Sequence, residues 1–207
     1  MVVYFSKTLT TEEKILQAAE EVFIEVGYDG ARMQAIADKA EINKAMLHYY
    51  FRSKDTLFEK VFVDKIQHFF PKIGEELKNE SSFLGKVELF VEHYITFLQQ
   101  YPFLPLFVIS TINKADKKQF IHKLPMPFLI DFFAESFQHD MAAGKIKAVN
   151  PIQFAMSVMG MCIFPFLTRP VFLEKAKIDE STFNMVMQQR IIEVKQYIRA
   201  ILMTNIS

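Results

Sequence analysis

Residues 28 to 54 hold the densest grouping of side chains able to engage a partner through charge: Arg32, Lys39, Lys44, Arg52 and Lys54 outnumber Asp29, Asp38 and Glu41 there. Such a grouping suits phosphate, because each Lys or Arg set on a phosphate releases condensed counterions. The excess is only local. The 207-residue chain carries 24 basic and 24 acidic side chains, and its first 60 residues hold 8 Lys/Arg against 10 Asp/Glu. A protein that coats nucleic acid non-specifically is therefore disfavoured, and few phosphate contacts per subunit would favour specific binding. Other reactive residue types are scattered. His48, His68, His93, His122 and His139 contain no i, i+4 pair and have no thiolate partners, so no metal site is expected. Cys162 lies in an apolar stretch without Lys, Arg or His nearby and reads as an inert buried thiol. With no glycine-rich phosphate loop, nucleophile elbow or dinucleotide fingerprint, no catalytic residue and no cofactor is expected, and an enzyme is disfavoured.

The elements that would position the basic grouping are short helices. Thr10, followed three residues later by Glu13, is a capping box that starts a helix. Ile15, Ala18, Ala19, Val22, Phe23 and Val26 then share one stripe, and Gly27 offers the left-handed backbone that ends it. A second helix is expected from about Met33 to Ala40, with Ile36 and Ala37 inward. Asn43 caps a third from Lys44 to about Tyr50, and Ser53 caps a fourth from Lys54, with Asp55 beside its N-terminal dipole. This spacing is that of a helix-turn-helix, in which one small helix braces a second able to enter the DNA major groove.

Ala18-Ala19, Phe23, Gly27-Tyr28, Ile36-Ala37, Ala40, Leu47, Tyr50-Phe51, Lys54 and Leu57, taken in order and spacing, resemble the N-terminal domain of the tetracycline-repressor (TetR) family of bacterial transcription regulators. The resemblance covers roughly a quarter of the chain. It implies double-stranded DNA with a near-palindromic operator as partner, a recognition helix at Lys44 to Tyr50, and base reading mainly from Asn43, Lys44, Ala45 and Tyr49. It assigns phosphate contacts to His48 or Tyr49 and to Lys54, and Arg32 and Met33 complete the candidate DNA-binding set. The chain departs from the family where Glu41 replaces a common turn glycine, Ala45 another glycine, Ala31 a threonine and His48 a tyrosine. A non-glycine residue in a left-handed turn costs on the order of 1 kcal/mol.

The implied architecture is all-α: a helix-turn-helix DNA-binding domain over 9–60, with the motif itself at about 32–51, joined to a larger helical ligand-binding and dimerisation domain over 61–207. Beyond Lys60, helices are expected at about 82–100, 102–113, 126–143, 151–168 and 181–204, with kinks or joints at Pro71 and Pro125. This region holds 18 of 22 phenylalanines and 8 of 11 methionines, which fill a core or line an apolar cavity. The resemblance favours a pocket for a small apolar ligand, with Phe97, Phe107, Phe133, Phe137 and Met159 as candidate lining. The segment Ala155 to Phe164 is apolar nearly all round, and Phe183, Val186, Met187, Ile191, Val194, Ile198, Ile201 and Leu202 form a long stripe. Burial in one subunit and a two-fold four-helix contact both fit this pattern. The resemblance favours a homodimer, with Ala155, Met159, Phe183, Met187, Ile191, Val194 and Ile198 as candidate interface. The longest apolar run, Phe154 to Leu167, is too short to span a bilayer, so no membrane association is expected and a cytoplasmic location is.

These readings converge on an expected regulator, most often a repressor in the family, released from DNA when an apolar ligand favours a dimer of the wrong recognition-helix separation. Pro71, read as following the fourth helix, lies where such motion would pass between domains. A helical carrier or sensor of lipid-like molecules without DNA binding is the alternative, supported by Glu41 and the acidic first helix; an enzyme acting on an apolar substrate has no nominated catalytic set.

Overall fold

The computed structural model describes residues 9–112 and 126–203, the side chains of 111–112 and 126–132 excepted; Pro125 and His122 lie outside the described residues. Among the described residues there is no strand, and the helices are α1 (Thr11–Gly30), α2 (Met33–Lys39), α3 (Lys44–Tyr50), α4 (Lys54–Lys78), α5 (Phe83–Gln100), α6 (Leu104–Ile112), α7 (Met126–Ala142), α8 (Pro151–Leu167), α9 (Arg169–Glu174) and α10 (Glu180–Leu202). The all-α expectation holds. The chain divides into two compact units, Met1–Lys65 and Ile66–Ser207, and passes from one to the other inside α4. Pro71 therefore lies within α4, not after it. The short helix α9, with Pro170 in its first turn, was not anticipated.

In the first unit, Thr10 and Glu13 form the capping box, with the Glu13 N–H donating to Thr10 Oγ1 at 3.2 Å and the Thr10 N–H to Glu13 Oε2 at 2.8 Å. Ile15, Ala18, Ala19, Val22 and Phe23 are buried as their spacing requires. Val26 departs from the stripe: it is 49% exposed beside Gly30, because Gly27 (φ 72°, ψ 174°) turns the backbone there before one further helical turn. Positive φ without a Cβ penalty is what glycine supplies at this break. The core of the unit is aromatic, with Phe58 set edge-on to Phe23 at 4.5 Å and to Tyr28 at 5.0 Å.

In the second unit, α5 is central and packs against α7, α8 and α10. Of the α10 stripe, Phe183, Met187, Ile191, Val194, Ile198 and Leu202 are buried, whereas Val186 and Ile201 are exposed. Polar ties along its flank fix an antiparallel register with α5: Arg199 Nη2 to Glu88 Oε2 at 2.8 Å, Lys195 Nζ to Glu92 Oε2 at 2.6 Å, and Gln188 Nε2 to Gln99 Oε1 at 2.5 Å. Each exposed pair contributes little energy, but their even steps select one alignment of the two helices. Two buried irregularities are also satisfied. Pro165 has no N–H to give the Met161 carbonyl one turn earlier, and Arg190 from α10 supplies Nε and Nη2 to that oxygen, both at 3.3 Å. Asp140, only 1% exposed, accepts the Phe83 N–H at the start of α5 at 2.8 Å. Burial alone would push the Asp140 carboxyl up, but hydrogen bonds from Phe83, His139 and Lys145 together hold it below the usual carboxylate range.

Candidate nucleic-acid interface

The turn between α2 and α3 is built by backbone hydrogen bonds. The Ile42 N–H reaches back to the Ala37 carbonyl at 3.0 Å and the Glu41 N–H to Asp38 at 3.1 Å, the paired bonds of a Schellman ending. Glu41 holds the left-handed position of that motif (φ 57°), where glycine would be unstrained. Asn43 then caps α3, its Oδ1 accepting the Met46 N–H at 2.7 Å. Leu47 is the residue α3 buries, whereas Lys44, Ala45, Met46, His48, Tyr49 and Tyr50 are all exposed. A seven-residue helix held by one apolar side chain and a capping amide leaves most of its surface for a partner.

The basic side chains divide into those committed within the unit and those left outward. Lys39 pairs with Glu21 at 3.0 Å and Glu25 at 3.8 Å, so the acids of α1 neutralise it; its hydrogen bond and charge hold the Glu21 carboxyl below the usual range. Lys54 turns inward, donating to the carbonyls of Tyr28 at 2.7 Å and Ala31 at 3.1 Å, with its ammonium 4.4 Å from the Tyr28 ring centre. The Tyr28 hydroxyl donates to Asp55. The start of α4 thus clamps the end of α1, and one of the three Lys54 donors remains for an outside acceptor. Arg32, at the N-cap of α2, Lys44 and Arg52 have no ion-pair partner among the described residues. Met33 opens α2 and is half-buried. Arg52, absent from the candidate set, is an exposed cation between α3 and α4; its place in the basic grouping was the signal that could have nominated it.

In the second unit, Phe97, Phe133 and Phe137 lie on one aromatic run along α5. Phe97 stacks on Phe69 at 4.2 Å, Phe69 meets Tyr94 at 6.3 Å, and Tyr94 stacks on Phe90 at 5.2 Å. Phe133 sits edge-on to Phe90 at 5.8 Å and to Phe83 at 6.2 Å, and Phe137 lies 5.0 Å from Phe83. Phe107 is buried on α6 and Met159 half-buried on α8. Burial drives the Tyr94 phenol well above its ordinary value, and drives the Cys162 thiol up to about 12, Arg190 offsetting only part of that rise. An open groove of about 500 Å³ on the outside of α5 and α10 is lined by Glu92, Gln188, Lys195 and their neighbours; none of the five candidate ligand residues lines it.

Of the candidate interface residues, Phe183, Met187, Ile191, Val194 and Ile198 are each 7% exposed or less within one chain, where they form core, Phe183 against Phe166 and Phe172. The most regular apolar stripe of a helix marks its most buried face, whichever chain buries it. The outward apolar residues are instead Ile152 (68% exposed), Met156 (64%) and Phe164 on α8, and Met185 (65%), Val186 and Ile192 on α10. Ala155 lies exposed, and a Cβ at the exposed Gly160 would meet nothing within 4 Å. Among the described residues no helix is long and apolar enough to cross a membrane, and no group of His, Cys, Asp and Glu could hold a metal.

The all-helical fold with a helix-turn-helix unit is one that transcription regulators share. Residues 15–61 match the bacterial regulatory proteins of the tetR family. The chain is 30% identical over 91 residues to the HTH-type transcriptional repressor NicS of Pseudomonas putida, a match covering 44% of this chain and 41% of that protein. The chain thus spans about two fifths of the length of this curated relative. The fold is similar to that of FadR from Bacillus subtilis in complex with stearoyl-CoA (TM-score 0.60, 19% identity, covering 86% of this chain and 96% of that one). It is similar also to AibR in complex with isovaleryl coenzyme A and operator DNA (TM-score 0.62, 20% identity, covering 76% and 86%). The proteins matched are transcriptional regulators rather than enzymes.

Proposed function

We propose that the chain is a sequence-specific DNA-binding transcription regulator, a homodimeric repressor released from a near-palindromic operator by a small apolar ligand. The observation that carries this reading is the outward surface of α3, where six of seven residues are exposed and Asn43 rather than tertiary packing secures the helix start. Lys44 and Arg52 supply charge without internal partners, and the spare donor of Lys54 adds a phosphate contact beside them. In a two-fold dimer the recognition helices must stand about 34–36 Å apart to enter successive major grooves. The outward faces of α8 and α10, centred on Met156, Gly160, Met185 and Ile192, are the surfaces we assign to the dimer contact. Burying several such side chains, each contributing about 1.5–3 kcal/mol, is the driving force available to it.

The relatives solved with acyl coenzyme A molecules support an acyl-chain ligand, and the aromatic run along α5 supplies the matching apolar surface. A ligand acts only through its differential affinity for two dimer shapes, so it needs no contact with DNA. Site selection from random duplex DNA, followed by addition of stearoyl-CoA or isovaleryl-CoA to the selected complex, tests both halves of the reading. Enrichment of a two-fold sequence and its release by one of these ligands is expected. No enriched sequence would remove the regulator; an enriched sequence insensitive to both molecules would remove the acyl-chain ligand and leave the regulator standing.

A further inference from the structure

We infer that the centre of each operator half-site is read through thymine C5-methyl groups by Ala45 and Tyr49, and not through hydrogen bonds to a purine edge. The inference rests on the DNA-binding reading above. Leu47 and Phe51 are the buried side chains at α3 and define its inward direction. At 3.6 residues per turn the opposite direction belongs to Ala45 and Tyr49, one turn apart on the same face. Tyr49 is 84% exposed, the most exposed large hydrophobic side chain among the described residues of the first unit, and Ala45 is exposed beside it. Met46 and His48 flank this pair, while Lys44, also exposed, leaves the helix from its flank and not from this face.

A side chain at the apex of a recognition helix meets the base edges first, and the chemistry here is a methyl and a ring. Alanine has neither donor nor acceptor, and its complement in the major groove is the thymine methyl, the one apolar group displayed there. The helix has no Arg, Gln or second Asn to form a bidentate pair with guanine or adenine. Asn43 is committed as the N-cap: its Oδ1 accepts the Met46 N–H at 2.7 Å, which turns the amide toward the helix start and away from the two-point alignment that adenine reading needs. Lys44 and His48 are left as single-point donors at the margins of the readout.

The test uses the full chain and its selected operator. Deoxyuridine is substituted for each thymine in turn, which keeps base pairing and removes only the methyl. Affinity is expected to fall about fourfold at one or two half-site positions, the factor that corresponds to leaving one methyl-sized group unburied. The thymine-to-uracil ratio should return to unity at one of these positions in Ala45→Ser and at another in Tyr49→Ala, whereas Tyr49→Phe keeps it. Because the ratio is taken within each protein, a variant of lower stability or affinity still reports it. Uracil bound as tightly as thymine at every position overturns the inference and leaves the regulator intact. A uracil penalty unchanged in both Ala45→Ser and Tyr49→Ala overturns it as well, by moving the methyl contact to other residues. Failure to select any operator removes the regulator reading itself.

Discussion

The two units hold themselves together by different means. In the first, polar side chains near chain turns carry much of the specification: Thr10 and Asn43 cap helices, and Lys54 with Asp55 fastens the start of α4 to the end of α1. In the second, aromatic and aliphatic side chains dominate, and its buried carboxylate, Asp140, and the Arg190 contact repair individual backbone groups. Polar fastening spends donors inside the unit, so the outward cations Arg32, Lys44 and Arg52 stand apart as available for a partner. Apolar fastening leaves no such mark, because a buried stripe, a pocket wall and a subunit contact have the same composition.

The largest effect expected of a single change falls on the aromatic core of the first unit. Phe58→Ala removes the ring that joins Phe23 and Tyr28 and should destabilise that unit by about 3–5 kcal/mol. Denaturant unfolding followed by helical circular dichroism should show an early transition for the first unit; one unshifted transition would deny Phe58 this role. Next in size is the contrast along α10. Met187→Ala should cost about 2–5 kcal/mol through its cavity, while Met185→Glu, on the outward face, should leave chain stability within about 0.5 kcal/mol and convert the proposed dimer to monomer in sedimentation. The reverse outcome would return the interface to the inner stripe.

Asp140→Ala should cost about 1–3 kcal/mol, because the Phe83 N–H is left buried without an acceptor. The wild-type carboxyl is depressed on folding, so between its folded value and the ordinary 3.8 the unfolded chain binds more protons. Its stabilisation is complete above that ordinary value and is lost as pH falls through the folded one; acid titration of Asp140→Asn should show a flatter loss than wild type. The smallest effect is expected at the helix-turn-helix turn, where Glu41→Gly relieves the left-handed strain and should gain about 1 kcal/mol, read as a higher melting temperature of the first unit.

The same contrast explains what could be read in advance. Thr10, Asn43 and Ser53 announced their helices because capping is a local, directional interaction between residues three apart. Glu41 was placed in its left-handed turn by the resemblance, which puts a common glycine there. The inward use of Lys54 was not legible: its partners at Tyr28 and Ala31 are more than twenty residues away in sequence, and a lysine opening a helix looks alike whether it faces phosphate or carbonyl. Phe183, Met187, Ile191, Val194 and Ile198 were found as a stripe and are buried within one chain, but their neighbour was not legible, since periodicity reports that a face is covered and says nothing of which chain covers it. The link between Arg190 and the carbonyl that Pro165 leaves open was not legible because it exists only once α8 and α10 lie side by side.

The most direct test of the central claim is a fluorescence-anisotropy titration of the full chain against its selected operator and against a scrambled duplex, at several salt concentrations. The account predicts an operator preference on the order of 10³ or more, with a shallow salt dependence reflecting few phosphate contacts per subunit. Equal, weak binding to both duplexes at every salt concentration would contradict it.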